Sequence, residues 1–338
     1  MAEQTCHGDE YNLMAGERHF PSLPPSLSMK KHAWSRLALI PIALLAFRPS
    51  AISADLPPPD FANMRYGPFE RNLLDLWQAK APGPRPLLVY IHGGGWDAGD
   101  KSAVKIAPYR KDLLGVMLQQ GVSVASVNYR YSHMASLPAP VYDAARAIQF
   151  LRSRAQALNL KKDRVAATGA SAGGCTSLWL AYHSDLANPS SSDPIEREST
   201  RLCAAYAVNP QSSIDPKDLL GWVGDQVMNH QMTWRSVGAR SRQDALAHYD
   251  RFQSLYRAFS PINFVSRDGA PVLLIYGTAW SVLPAKTPGE AIHHPILGLK
   301  LKEKADAVGA ICILTIEDPA DPALASPFEF LLKYLITR

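Results

Sequence analysis

Short apolar runs alternate with helical patterns over most of the chain. The apolar runs lie at 86–91, 122–127, 164–168, 203–208, 271–276 and 310–316, and each predicts a strand. Apolar residues at helical spacing lie at 139–158, 172–183, around 299–305 and at 328–336. Such alternation is typical of βαβ units, and near-continuous apolar strands indicate a sheet covered on both faces. We therefore predict an α/β fold with a mostly parallel sheet flanked by helices.

One internal segment breaks this pattern. Residues 215–264 are polar, contain Trp, Met and His, and show no strand pattern. We predict a small helical insertion over the C-terminal edge of the sheet. Its apolar side chains either line a substrate cleft or form the insertion's own core; they are Trp222, Met228, Met232 and Trp234.

The first 54 residues differ in composition from the rest. Met29-Lys30-Lys31, the apolar run 37–47 broken by Pro41, and the small residues 51–54 are typical of a secretory signal peptide. We expect residues 1–28 to be a non-native or disordered extension with translation starting at Met29, 29–54 the signal peptide, 55–65 a linker and 66–338 one domain. Cleavage near Ala54 would leave an exported protein, periplasmic or extracellular, without a stable membrane anchor. The alternative is a disordered tail followed by an uncleaved anchor.

Composition excludes several classes of function. The chain has 338 residues, 47% of them hydrophobic, which suffices for a large core, and a formal net charge of +5 without a run of Lys or Arg longer than a pair. No nucleic-acid partner is predicted. The four cysteines show no metal-ligand spacing and no disulfide framework, and no glycine-rich phosphate loop is present. We predict chemistry without a cofactor or metal.

The main chemical motif is Gly169-Ala170-Ser171-Ala172-Gly173. This GxSxG lies directly after one predicted strand and directly before a helix at 172–183, where a nucleophilic serine occupies a sharp turn. The N-terminus of that helix favours negative charge near the serine oxygen. We therefore predict Ser171 as a nucleophile, against the alternative of a chance match in a Gly/Ala-rich helix start.

The second motif is HGGGW at 92–96, which follows the strand at 86–91. Glycines allow a loop whose N–H groups face inward, and acyl transfer needs such donors where the carbonyl oxygen becomes an oxyanion. We predict Gly94 and Gly95, with the N–H of Ala172, as the oxyanion hole. His92 precedes these donors, so we expect it to order the loop.

These two motifs, with Asn128-Tyr129-Arg130-Tyr131 and the PAPVYD segment at 138–143, resemble the esterase and lipase branch of the α/β-hydrolases. Within it the chain is similar to the group of hormone-sensitive-lipase-like and bacterial feruloyl or acetyl-xylan esterases. The resemblance covers about residues 66–338. It implies an eight-stranded, mostly parallel sheet and carboxylic ester substrates.

At the two positions where the family has its catalytic acid and its catalytic histidine, this chain has other residues. The family places its acid just after the strand at 271–276, in a pattern like GTxDxxVP, where this chain has Trp280. The family histidine follows the last strand, but no histidine occurs after His294. Because a serine hydroxyl is a poor nucleophile without a base, we expect a substitute.

Candidates for the base are the remaining histidines of the predicted mature chain. His183 is excluded, because twelve residues of helix at 1.5 Å per residue would place it roughly 18 Å from Ser171. His133 follows a strand on the active-site side, and His230 and His248 lie in the insertion. His293 and His294 lie in a long loop after the strand at 271–276. Our preferred base is His294 or its neighbour His293. The alternative for this pair is a surface or helix-capping role.

For the acid we prefer Asp215, which follows the strand at 203–208. Glu317, Asp318 and Asp321 are alternatives, and each of these four could be only a solvated loop carboxylate. Two functions remain: a serine carboxylesterase acting on a small ester or an acylated polysaccharide, and a catalytically silent protein of this fold that binds a ligand. A histidine within hydrogen-bond distance of Ser171 distinguishes them.

Overall fold

The computed structural model describes residues 56–106, 108–277, 281–316 and 327–336. The expected extension and signal peptide, residues 1–54, lie outside the described residues. Within the described ranges no helix is long and apolar enough to cross a membrane.

Within the described ranges, eight strands form a single sheet. They are β1 (Phe61–Arg65), β2 (Leu73–Trp77), β3 (Arg85–Ile91), β4 (Ser123–Val127), β5 (Leu160–Ala170), β6 (Ala204–Val208), β7 (Val272–Tyr276) and β8 (Cys312–Ile316). Their spatial order is β1-β2-β4-β3-β5-β6-β7-β8. The pairs β1–β2 and β2–β4 are antiparallel, and all the others are parallel. The predicted mostly parallel, eight-stranded sheet is confirmed.

Helices connect the strands and cover the sheet. They are α1 (Ala103–Ile106), α2 (Pro108–Gln119), α3 (Ala139–Ser153), α4 (Ala172–Tyr182), α5 (Pro216–Val223), α6 (Met232–Arg235), α7 (Arg242–Ala247), α8 (Tyr249–Phe259), α9 (Pro288–Ile292), α10 (Ile296–Val308) and α11 (Pro327–Ile336). Two 3₁₀ helices, Asp225–Asn229 and Pro261–Phe264, lie with α5–α8 in the segment between β6 and β7. That segment contains the residues predicted as a helical insertion.

The two faces of the sheet bury different side chains, as the two-residue period of a strand requires. In β3, Leu87, Val89 and Ile91 belong to one core, while Leu88 and Tyr90 belong to the core on the other face. Both sets are almost fully buried. This double burial is why the central strands are continuous apolar runs in the sequence.

The expected linker at 55–65 is wrong over 61–65, because these residues form the edge strand β1. Four of its five side chains are exposed, so it lacks the buried apolar pattern that identifies a strand in the sequence. Its irregular register is anchored by the backbone N–H of Asn63, which donates to the Asp75 carboxylate at 2.8 Å. The sheet therefore begins before residue 66.

Candidate active site

Ser171 lies at a sharp turn between β5 and α4. Its φ of 52° is in the left-handed region, which costs a non-glycine residue energy and marks a functional turn. The turn forms because Gly169 and Gly173 allow close backbone contact. A Cβ added to Gly173 would lie 2.1 Å from the Ile91 carbonyl oxygen, and one added to Gly169 would lie 2.4 Å from the same oxygen.

The glycine loop after β3 lies directly beside this turn, because β3 pairs with β5 and aligns Ile91 with Gly169. A Cβ added to Gly93 would lie 3.5 Å from the Ser171 Cβ. Gly94 and Gly95 have φ values of 102° and 63°, so the loop depends on glycine at both positions.

The backbone N–H groups of this region are available to an oxyanion. Ala172 is the first residue of α4, so its N–H has no acceptor within the helix. The hydrogen bonds of Gly94 are made by its carbonyl oxygen, which accepts from the Asp97 and Ala98 amides at 3.0 and 3.1 Å. The N–H groups of Gly94 and Gly95 make no hydrogen bond within the part of the chain that the structure describes. Of the predicted oxyanion donors, Ala172 follows Ser171 directly, and Gly94 and Gly95 belong to the loop whose Gly93 lies against the Ser171 side chain.

His92 is buried below the loop. Its ring stacks on Tyr129 with centroids 4.1 Å apart, and its Nδ1 lies 2.8 Å from the Gly93 carbonyl oxygen. The Tyr129 hydroxyl donates to the His92 carbonyl at 2.8 Å. These contacts hold the loop, as expected for His92.

His293, and not His294, lies next to the nucleophile. Its Nε2 is 2.9 Å from Ser171 Oγ, within hydrogen-bond distance. Its Nδ1 is 2.9 Å from the carbonyl oxygen of Gly289. A carbonyl can only accept, so Nδ1 carries the proton and the neutral ring presents the Nε2 lone pair to the serine hydroxyl.

Burial and local contacts set the proton affinity of His293. Burial lowers the pKa of its imidazole below the ordinary value, and the hydrogen bond to the Gly289 carbonyl partly offsets this effect. His293 is the residue immediately after α9, and Gly289 belongs to that helix. A histidine bonded to a carbonyl at a helix C-terminus has its charged form stabilised there.

Contacts with the loop after β6 fix the position of α9. The Gln211 side-chain amide donates to the Ile292 carbonyl at 2.8 Å, next to His293 in the chain. The Ser212 hydroxyl donates to the Leu297 carbonyl at 2.7 Å in α10. The loops after β6 and β7 thus place the imidazole over Ser171.

The choice of His294 as base is wrong because its side chain has another role. His294 is only 4% exposed, and its Nδ1 accepts from the Ile296 amide at 3.1 Å, at the start of α10. It therefore satisfies a helix N-terminus, which was the capping alternative. The sequence identified the right pair, but not which of the two faces Ser171.

Asp215, the predicted acid, is the N-cap of α5. Its carboxylate accepts from the Lys217 amide at 2.9 Å and from the Tyr249 hydroxyl at 2.8 and 3.0 Å. Both oxygens are used within the insertion, so the assignment as triad acid is corrected to a helix cap. Trp280 and the alternative acids Glu317, Asp318 and Asp321 lie outside the described residues.

The other candidate histidines do not contact Ser171. His133 Nδ1 lies 2.7 Å from the Asp97 carboxylate. His183 follows α4 and stacks on Trp179, and His248 Nδ1 lies 2.9 Å from the Asp244 carboxylate. His230 reaches the site but faces His293, with ring centroids 6.3 Å apart.

The apolar residues of the insertion are mostly part of its core. Met228 and Met232 are 3% and 0% exposed, and Trp222 and Trp234 are partly buried against the same core. Within the described ranges no cluster of His, Cys, Asp and Glu is suited to hold a metal ion.

Comparison with known proteins agrees with this architecture. A family model described as BD-FAE matches residues 74–291. Esterase LipQ of Mycobacterium tuberculosis is 28% identical over 233 residues, covering 66% of this chain and 50% of LipQ. Esterase LipC of the same organism is 26% identical over 226 residues, covering 65% of this chain and 51% of LipC. The chain spans about half the length of these curated relatives.

Solved structures share the fold. A truncated carbohydrate esterase from gut microbiota superposes with a TM-score of 0.59 at 21% identity, covering 76% of this chain and 86% of that chain. An acetyl ester-xyloside bifunctional hydrolase from Caldicellulosiruptor lactoaceticus gives 0.57 at 20% identity, covering 78% and 84%. Since the family model covers more than half of the sequence, the chain belongs to the BD-FAE family, in the esterase and lipase branch of the α/β-hydrolases.

Proposed function

We propose that this protein is a serine-dependent carboxylic ester hydrolase with Ser171 as nucleophile and His293 as general base. The observation that carries the proposal is the 2.9 Å distance between His293 Nε2 and Ser171 Oγ. It meets the criterion that distinguishes an enzyme from a catalytically silent protein of this fold, because a serine needs a base within hydrogen-bond reach. The esterases among its relatives support the same chemistry.

The reaction proceeds in two acyl-transfer steps. Ser171 Oγ attacks the ester carbonyl while its proton passes to His293 Nε2, and the N–H groups of Gly94, Gly95 and Ala172 bind the resulting oxyanion. His293 then returns the proton to the leaving alcohol, and an acyl-enzyme remains. Water attacks this acyl group with His293 again as base, releasing the carboxylic acid and free Ser171.

The Gly289 carbonyl has a defined part in this cycle. It accepts the Nδ1 proton and so holds the ring in the tautomer whose Nε2 is the base. When Nε2 takes the proton, the same carbonyl stabilises the imidazolium. Gly289 is thus a positioning residue that acts through His293.

The test is hydrolysis of p-nitrophenyl acetate by the purified protein beside Ser171→Ala and His293→Ala. We expect both variants to lose at least about a hundredfold in kcat, the lower range for general-base catalysis. Labelling with a fluorophosphonate should add one adduct, located on Ser171 by mass spectrometry.

His248→Ala is the matched control, since its side chain is 58% exposed and lies in the insertion away from Ser171. It should keep the parent activity. Wild-type hydrolysis no faster than that of Ser171→Ala would refute the proposal and leave the ligand-binding alternative.

We propose a small ester or an acylated polysaccharide as substrate. Two structural relatives, named as a carbohydrate esterase and an acetyl ester-xyloside hydrolase, support this range. The rate of acetate release from acetylated xylan, compared with the rate of p-nitrophenyl acetate hydrolysis, tests whether an acylated polysaccharide is a substrate.

Export is a separate proposal. It rests on the charged, apolar and small-residue order of residues 29–54 in the sequence. N-terminal sequencing of the secreted or periplasmic fraction should find a mature chain that begins near residue 55. Retention of the whole chain in the cytoplasm would refute it.

A further inference from the structure

His230 is a second histidine at the edge of the site, with a role distinct from that of His293. It lies in the insertion between the 3₁₀ helix Asp225–Asn229 and α6. Its Cε1 lies 3.5 Å from the position that a Cβ on Gly95 would occupy, and its ring is 6.3 Å from the ring of His293. The imidazole thus borders both the oxyanion loop and the base.

The hydrogen bond of its other nitrogen fixes the tautomer of His230. The Met232 amide donates to His230 Nδ1 at 3.3 Å, so Nδ1 is an acceptor and the neutral ring carries its proton on Nε2. Burial is the main cause, and the nearby His293 the smaller one, of a pKa of His230 that is lowered to about 4. The ring is therefore neutral at physiological pH. A neutral ring with this tautomer is a hydrogen-bond donor through Nε2.

This donor has no acceptor within the described part of the chain. Nε2 makes no hydrogen bond to those residues, and it is not among their fully buried unbonded polar atoms. The atom therefore retains accessible surface, and it is bonded to the Cε1 that lies beside Gly95. An N–H group in a partly closed site favours a ligand that offers an oxygen over one that does not.

The location of His293 indicates which part of an ester this donor meets. His293 Nε2 must protonate the leaving oxygen, so the alcohol portion of the substrate lies on the His293 side of Ser171. We propose that His230 is a specificity-determining residue whose Nε2–H binds an oxygen of the alcohol portion, and that the site prefers esters of hydroxylated alcohols over esters of alkyl alcohols. This inference rests on the ester hydrolase function proposed above.

Two esters with the same three-carbon alcohol backbone test the inference. Glycerol 1-acetate carries hydroxyl groups beside the ester, and propyl acetate carries none. We expect wild type to prefer glycerol 1-acetate in kcat/KM, and His230→Phe, which keeps a ring but removes the donor, to reduce that preference by about tenfold, as for one lost hydrogen bond. His230→Gln, which supplies an amide N–H, should restore part of it.

His248→Phe is the matched control in the same insertion and should keep the wild-type ratio. Thermal unfolding of each variant verifies that it is folded. A ratio that is unchanged in His230→Phe overturns the inference, and so does an equal fall in His230→Phe and His230→Gln, because the ring shape and not the donor would then select the substrate. Failure of wild type to hydrolyse either ester would instead refute the proposed function.

Discussion

The pH dependence of kcat/KM tests the assignment of His293 directly. The base must be neutral to accept the Ser171 proton, so activity falls as the pH drops through the pKa of His293. Burial lowers this pKa from the ordinary value of 6.5, and the hydrogen bond to the Gly289 carbonyl opposes the shift only partly. We therefore expect the acid limb of the profile to have its midpoint below pH 6.5.

The size of the effect follows from simple titration. A base with the ordinary pKa of 6.5 would retain half of the maximal kcat/KM at pH 6.5, and about a tenth one unit lower. The protein should retain more than these fractions at both pH values. His230, with its pKa lowered to about 4, is mostly neutral at both of these pH values.

The assay is acetate release from a short acetate ester between about pH 4.5 and about pH 9, read by a method that does not depend on chromophore ionisation. His248→Ala is the control for general effects of histidine loss. A midpoint above pH 6.5 would refute the reasoning, because it would require a base whose charged form is favoured by its surroundings.

Substitutions at Asp215 and Gly173 test the structural roles of these two residues. Asp215→Ala should lower the free energy of unfolding, measured with urea, by about 1 kcal/mol, whereas Asp215→Asn should keep the cap. Both variants should keep their activity in ester hydrolysis. A hundredfold loss of activity in both would restore Asp215 as the acid. Gly173→Ala should destabilise the fold by about 1–3 kcal/mol and abolish activity, because its Cβ would lie 2.1 Å from the Ile91 carbonyl oxygen. Gly221→Ala in α5, with open space at its Cβ, is the matched control and should be neutral or stabilising.

The central fold could be predicted because burial on both faces makes strands visible in the sequence. β3 to β8 all match predicted apolar runs, with boundaries that differ by a few residues. β1 and β2 escaped prediction for different reasons. β1 is an exposed edge strand, and β2 is a five-residue run that contains the buried, ion-paired Asp75. Edge strands depend on pairing with a neighbour, which a local pattern does not record.

The nucleophile and the oxyanion loop could also be predicted, since their chemistry is encoded in contiguous residues. GxSxG and the glycine loop each need small residues at fixed positions for backbone reasons, and pairing of β3 with β5 brings them together. The base has no such local pattern. His293 and His294 are adjacent and have similar surroundings in the sequence.

The sequence alone was enough to predict strands β3 to β8, the turn that holds Ser171 and the loop that offers its N–H groups, because these follow from hydrophobic period and glycine geometry over a few neighbouring residues. Which histidine contacts Ser171, and which role Asp215 has, became clear from the packing of the folded chain. A one-residue step past the end of a short helix turns one imidazole toward Ser171 and the next toward the amide of Ile296. That choice depends on how α9 packs against loops distant in the chain, where Gln211 holds its last carbonyl.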